Sequence, residues 1–195
     1  GGFLHAFGEV ALDQALTGRL LQVANSAASA ALVPIGTVKD AIIRVGVGPV
    51  LSFAMACCIG PQLKRALPAY GLGEGELWRH SVATSLAAEI IMAMAPHPVP
   101  AEAVTAALLH DVGKLVLARF LEGDLLRALA AARAEGDRSS MQAEVDVLGV
   151  HHGQLGGLIA RHWNLPDRLA EAIAHHHSPD KANDILCDTV HIANI

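Results

Sequence analysis

Apolar residues recur at three- and four-residue spacing along almost the whole 195-residue chain. Nowhere do they alternate with the period of two that a half-buried strand needs, and no Asn-Gly hairpin signal occurs. The chain is therefore expected to be all-α. Leu12, Ala15, Leu16, Leu20 and Val23 form one stripe over about residues 10–23, which Asn25-Ser26 ends. Thr37, after Pro34-Ile35-Gly36, suits the N-cap of a short helix through Arg44. Gly46 and Gly48 then break the chain. Pro49 suits the first turn of a further helix, kinked at Gly60-Pro61 and stopped near Pro68. Gly71, Gly73 and Gly75 make the loosest stretch. They set a boundary between an N-terminal helical subdomain over 1–72 and a second helical region over 73–195.

Beyond that boundary, a single long helix is expected over 76–94, closed by Pro96, Pro98 and Pro100. A helix over 101–111 has Gly113 as its end or bend. One or two helices over 116–134 stop at Glu135-Gly136-Asp137. Ser139 or Ser140 caps a helix to Val147. Helices over 153–163 and 167–176 flank the turn at Asn164-Leu165-Pro166, and a last one runs from about Asn183.

Composition excludes several functions. Hydrophobic residues are 52% and charged residues 17%, which rules out a disordered chain. Aromatics are only 4%, so small aliphatic side chains must fill the core. The net charge is −5 and no Lys/Arg run occurs, so no nucleic-acid footprint is present. The mean hydropathy of +0.39 raises the question of a membrane. The longest apolar stretch, 45–60, is too short and too broken by Gly46, Gly48 and Pro49 to span one. The start, Gly1-Gly2-Phe3, lacks a basic region, so no signal peptide is visible and the chain reads as cytoplasmic. Cys57 and Cys58 are adjacent and Cys187 is alone, the usage of free thiols in a reducing compartment.

The unusual count is 11 histidines against 14 Lys plus Arg. His110-Asp111-Val112-Gly113-Lys114 places imidazole, carboxylate and ammonium within about one turn, a donor set suited to Mn, Fe, Zn or Ni. Glu76 and His80 share a helix face at i, i+4. His151-His152 open a helix and His175-His176-His177 close another. Each group has an ordinary reading too: a surface pair, a helix cap, a helix end whose dipole favours cationic histidine.

Taken in order, Glu76-x-x-x-His80, His110-Asp111-x-Gly113-Lys114, His152 and His176-His177 resemble the HD superfamily of metal-dependent phosphohydrolases, and its HD-GYP branch most of all. Leu21-Gln22-Val23-Ala24-Asn25-Ser26 and the stretch from Ile35 to Gly46 are similar to the amino-terminal half of HDOD (HD-related output) domains. So are His162-Trp163-Asn164-Leu165-Pro166, the run from Ala172 to Pro179, and Val190-His191-Ile192-Ala193-Asn194.

The resemblance implies a multi-helix HD-like bundle preceded by a helical extension. It implies a bacterial signalling output domain that works beside a sensor or receiver domain or another signalling protein. It also implies a divalent transition metal site, mononuclear or binuclear, built from Glu76, His80, His110, Asp111, His152, His176 and His177. Asp111 and Lys114 would be the catalytic pair of an active member, which would hydrolyse a nucleotide or cyclic dinucleotide. Two departures separate this chain from such enzymes. Ser178-Pro179-Asp180-Lys181 follows His177 in place of an acidic residue and a Gly-Tyr-Pro loop, and Asn194 falls where a final aspartate is usual. An amide binds a hard cation less well than a carboxylate. The first expectation is thus an output domain that relays state through a partner or nucleotide ligand without turnover. The alternative is a metal-dependent phosphohydrolase.

Overall fold

The computed structural model describes residues 21, 22, 25, 36–134 and 139–195. The stripe expected over 10–23, the turn at Pro34-Ile35 and the stop at Glu135-Gly136-Asp137 lie outside the described residues, apart from Leu21 and Gln22. Two compact units divide the chain, Gly1–Gly60 and Pro61–Ile195.

In the first unit, α1 (Val38–Val45) starts at Thr37. The Thr37 hydroxyl accepts from the Asp40 amide at 3.1 Å and donates to the Asp40 carboxylate at 2.7 Å, satisfying an orphan amide of the first turn. Gly46 ends the helix at φ +90°, and α2 (Val47–Leu63) begins at once, bent by 119°. Ala41 and Val50 are buried together against Leu21, Ile42, Val45 and Phe53. Among the described residues no single helix is long and apolar enough to cross a membrane.

The second unit holds a short 3-10 turn (Pro68–Tyr70) and eight α-helices: α3 (Glu76–Met94), α4 (Glu102–Leu109), α5 (Val112–Phe120), α6 (Gly123–Ala134), α7 (Ser140–Leu148), α8 (His152–His162), α9 (Asp167–His175) and α10 (Ile185–Ala193). A second 3-10 turn, Pro179–Lys181, joins the last two. No strand occurs among the described residues; the single extended pairing is an isolated bridge between Leu67 and Leu72. The protein is all-α. Helix α3 packs on α4 and α10, α9 packs on α4, α8 and α10, α8 packs on α5, and α6 pairs with α7.

The core explains the low aromatic content. Ala88, Ala103, Ala106, Ala107, Ala143, Ala160, Ala170 and Ala172 are buried between helices, with Leu77, Leu109, Leu129, Leu169 and Leu186 filling the gaps. Each of these leucines contributes about 1.5–3 kcal/mol by leaving water. Closest of all is α5 against α8. A Cβ added at Gly113 would lie 1.9 Å from the His152 carbonyl oxygen, so only glycine permits this spacing. Gly113 does not end a helix, as its position after 101–111 suggests; it lies in the first turn of α5, and the chain turns at His110-Asp111 instead.

Candidate metal centre

That turn is where the site begins. His110 follows the last residue of α4 and Asp111 precedes the first of α5, so the two side chains leave the backbone where two helices part. Both are fully buried, at 0% and 1% exposure. His152 starts α8 and is 1% exposed. Its helix is set by a capping box: His151 Nδ1 accepts from the Gln154 amide while the Gln154 side chain accepts from the His151 amide at 3.2 Å. His176 and His177 follow α9; His176 is 0% exposed and His177 is partly exposed. His80, from α3, has its side chain 44% exposed.

These side chains converge on Asp111. Asp111 Oδ2 lies 3.3 Å from His110 Nε2, 3.6 Å from His80 Nε2 and 2.7 Å from Lys114 Nζ. Asp111 Oδ1 lies 3.3 Å from His152 Nε2. His80 Nε2 and His110 Nε2 are 3.1 Å apart, and His152 Nε2 and His177 Nε2 are 2.9 Å apart. Two three-residue sets result, His80/His110/Asp111 and His152/His176/His177, each with its ligand atoms within 4.8 Å of one another.

The far ring nitrogens are already engaged. His110 Nδ1 sits 2.7 Å from the Ala107 carbonyl oxygen and His176 Nδ1 2.7 Å from that of Ile173. His152 Nδ1 sits 2.7 Å from Glu144 Oε2. A carbonyl or carboxylate there can only accept, so Nδ1 carries the hydrogen and the Nε2 lone pair faces inward. This is the arrangement by which metal-ligating histidines are held. Two inward atoms, His176 Nε2 and Asp111 Oδ1, are buried with no hydrogen-bond partner. Leaving such atoms unpaired costs about 1–3 kcal/mol each. Three inward Nε2 lone pairs, on His110, His152 and His176, with an orphaned nitrogen and an orphaned carboxylate oxygen among them, fit a cation.

Electrostatics agree with that donor set. Burial pushes the His176 imidazole well below its usual pKa, with His110 and His177 adding to the effect. Burial and the neighbouring His152 bring His177 down to about 4. His80 is lowered by burial and by His110, while Asp111 and the side chain of Asn194 act the other way. Burial alone would raise Asp111, but His110, Lys114 and His152 outweigh it and hold the carboxyl well below the usual range. Neutral imidazoles and an ionised carboxylate are the forms that bind metals.

The remaining residues that the sequence points to fall as follows. Glu76, exposed in the first turn of α3, accepts from the Gly73 amide at 2.7 Å, and it joins neither three-residue set. Lys114 is tied to Asp111 and faces the Tyr70 ring at 5.8 Å. Asn194, the C-cap of α10, has its side chain beside His80. Asp184, which the sequence does not single out, caps α10 and is held bidentately by Arg168. His175 pairs with Glu171 on the surface at 3.2 Å. His191 places its Nδ1 2.7 Å from the His176 carbonyl oxygen and so fixes the backbone beneath a cluster residue. Sequence reading does not single out Glu144. It is fully buried, and with Asp111 it is one of two buried carboxylates among the described residues.

A helical bundle that brings a His-Asp pair at a helix junction to histidines from three other helices is an HD-like domain. The HDOD domain profile matches residues 5–179, and the chain belongs to that family. An uncharacterized protein of Treponema pallidum (strain Nichols) is 25% identical over 190 residues, covering 95% of this chain and 36% of the relative, so the chain spans about a third of that protein. An HDOD domain protein of unknown function from Geobacter sulfurreducens shares the fold with a TM-score of 0.66 at 25% identity, over 98% of this chain and 64% of that one. A Shewanella amazonensis SB2B protein provisionally named a phosphohydrolase has a TM-score of 0.69 at 23% identity, over 96% and 66%. A Marinobacter aquaeolei VT8 protein provisionally named a signal transduction protein has a TM-score of 0.66 at 25% identity, over 94% and 42%.

Proposed function

We propose that this domain is a metal-binding output module of a larger bacterial signalling protein, with its cation held by His80, His110, Asp111, His152, His176 and His177. Glu76, which the resemblance also points to, is engaged by the Gly73 amide and stays outside that set in this reading. The observation that carries the reading is the pair of orphaned buried atoms, His176 Nε2 and Asp111 Oδ1, inside a ring of inward-facing Nε2 lone pairs. Asp111 belongs to one three-residue set and its Oδ1 faces His152 of the other, a donor arrangement that suits one cation or two. Imidazole with carboxylate suits Fe, Mn, Zn or Ni. The Marinobacter neighbour's name supports the signalling role, and the 36% coverage of the Treponema relative supports a protein with further domains. In this reading the domain relays state to a sensor, receiver or partner protein in the cytoplasm, with a nucleotide as its candidate small ligand.

A phosphohydrolase activity is the second reading. Lys114 favours it: the ammonium sits 2.7 Å from Asp111 and its side chain is 18% exposed, positioned to neutralise a phosphoryl oxygen entering from solvent. When bound, a cation at such a site lowers the pKa of a coordinated water and polarises a phosphoryl group. Asn194 opposes it, because an amide beside His80 supplies no negative charge. Metal analysis of the purified protein, followed by titration of the stripped protein with Mn, Fe and Zn, tests the first reading. A folded chain that takes up none of the three overturns it. Turnover of a cyclic dinucleotide by the loaded protein, lost in Lys114→Ala, would establish the second.

A further inference from the structure

Glu144 lies on α7, a helix that contributes nothing else to the cluster, yet it is among the most buried polar side chains of the protein. Its Oε2 is 2.7 Å from His152 Nδ1 and also accepts from the His152 backbone amide at 2.7 Å. One carboxylate oxygen therefore grips both the ring and the main chain of the residue that opens α8. Its other oxygen faces Arg133 Nη2 at 3.4 Å. Arg133 is itself fixed by a 3.0 Å bond from Nη1 to the Ala69 carbonyl oxygen, and its guanidinium stacks on the Tyr70 ring at 4.4 Å. The Tyr70 hydroxyl is buried beside Glu144. Charge, ring and carbonyl thus hold a single carboxylate in one place.

We infer that Glu144 is the positioning residue of the metal centre. Supported by Arg133 and Tyr70, it locks His152 in the Nδ1–H tautomer and aims Nε2 at the space between Asp111 and His177. The inference rests on the metal-binding reading above. The chemistry is specific. In a neutral imidazole one nitrogen donates and the other accepts. An ionised carboxylate can only accept, so it forces the hydrogen onto Nδ1. It also strengthens the lone pair on Nε2. The other two buried histidines use main-chain carbonyls for this task, at Ala107 and Ile173. His152 begins its helix and has no preceding turn to offer one, so a side chain from another helix takes that place.

The test uses three variants. Glu144→Ala removes the acceptor. Glu144→Gln restores a neutral one of the same size. Glu144→Leu combined with Arg133→Met removes the acceptor without orphaning the arginine, a replacement that buried ion pairs often tolerate. Histidine ¹⁵N spectra of the metal-free proteins report the tautomer directly. The wild type is expected to show Nδ1–H at His152, Glu144→Ala and the double variant a mixture, and Glu144→Gln the wild-type form. Cobalt(II) titration is expected to weaken about 10- to 100-fold in Glu144→Ala and the double variant, with a changed visible spectrum, and to recover in part in Glu144→Gln. If Glu144→Ala does not fold, the double variant decides. A folded variant lacking the acceptor that keeps the wild-type tautomer, and binds cobalt within about twofold of wild type, overturns the inference. Wild-type protein that shows the Nδ1–H tautomer but binds no cobalt overturns the metal reading instead.

Discussion

Gly113→Ala puts a methyl group at the tightest point of the bundle. The new Cβ would lie 1.9 Å from the His152 carbonyl oxygen, 2.8 Å from its carbon and 2.9 Å from the Gly156 amide nitrogen. Carbon and carbonyl oxygen in close contact sit about 3.3 Å apart, so α5 and α8 must part by about 1.4 Å. All three clashing atoms belong to the backbone, so no rotamer change can relieve them. Overpacking ordinarily costs about 1–3 kcal/mol, and with no side chain to give way the upper end applies, about 3 kcal/mol. For a chain of this size that lowers the melting temperature by about 6–12 °C. The separation also carries His152 away from Asp111, now 3.3 Å from it, so metal affinity should fall with stability. Thermal denaturation with and without cobalt reads both effects. Gly36→Ala is the control, because a Cβ at Gly36 meets nothing within 4 Å. A Gly113→Ala protein that melts within about 2 °C of wild type and binds cobalt equally well would refute the close-contact reasoning.

Asn194→Asp should tighten metal binding, because it adds a negative charge beside His80; calorimetric titration with manganese checks this, and an unchanged affinity would argue that Asn194 stands outside the site. The metal-free protein should lose stability as pH falls. His177, brought down to about 4 when folded against about 6.5 when unfolded, and His176, lowered further in the same direction, favour folding fully above pH ~6.5, and that contribution is lost as pH drops toward 4. Urea denaturation at pH 7.5, 6, 5 and 4 would show it, and a midpoint that holds steady across that series would contradict the buried, neutral imidazoles. Asp111, depressed in the fold, adds its own loss only below pH ~4.

Much of this site is legible in the sequence because its chemistry is carried by rare residues at helix ends. The periodicity places α3 at 76–94, as the structure has it, and puts His110-Asp111 at the end of a helix over 101–111, where the structure turns the chain two residues earlier than Gly113. Thr37 caps α1 as its position after Pro34-Ile35-Gly36 suggests, and of the two serines at 139 and 140 it is Ser139 that caps α7. Other features have no local signature. Glu144 sits in a helix with Gln142 and Asp146 and looks like any solvated carboxylate, since its burial depends on Arg133 and His152 arriving from elsewhere in the chain. Gly113 reads as a helix terminator because glycine commonly is one; its actual role is set by the distance to α8, which no window along the chain contains. Glu76 shares a face with His80, but a carboxylate in a first helical turn has a competing partner in free backbone amides, here that of Gly73.

The glycine contact between α5 and α8 has a mechanical side. Where helices touch through side chains, a small displacement is absorbed by torsions and repacking. Here a Cβ at Gly113 would meet the His152 carbonyl, main chain against main chain, whereas one at Gly157 would meet the Ala174 methyl as well as the Ala170 carbonyl of α9. The α5–α8 joint has no compliant layer. A change in spacing at this joint moves α8 itself, because no side chain between α5 and α8 is there to repack. The glycine that brings the two backbones together therefore also ties the position of His152 to that of Asp111.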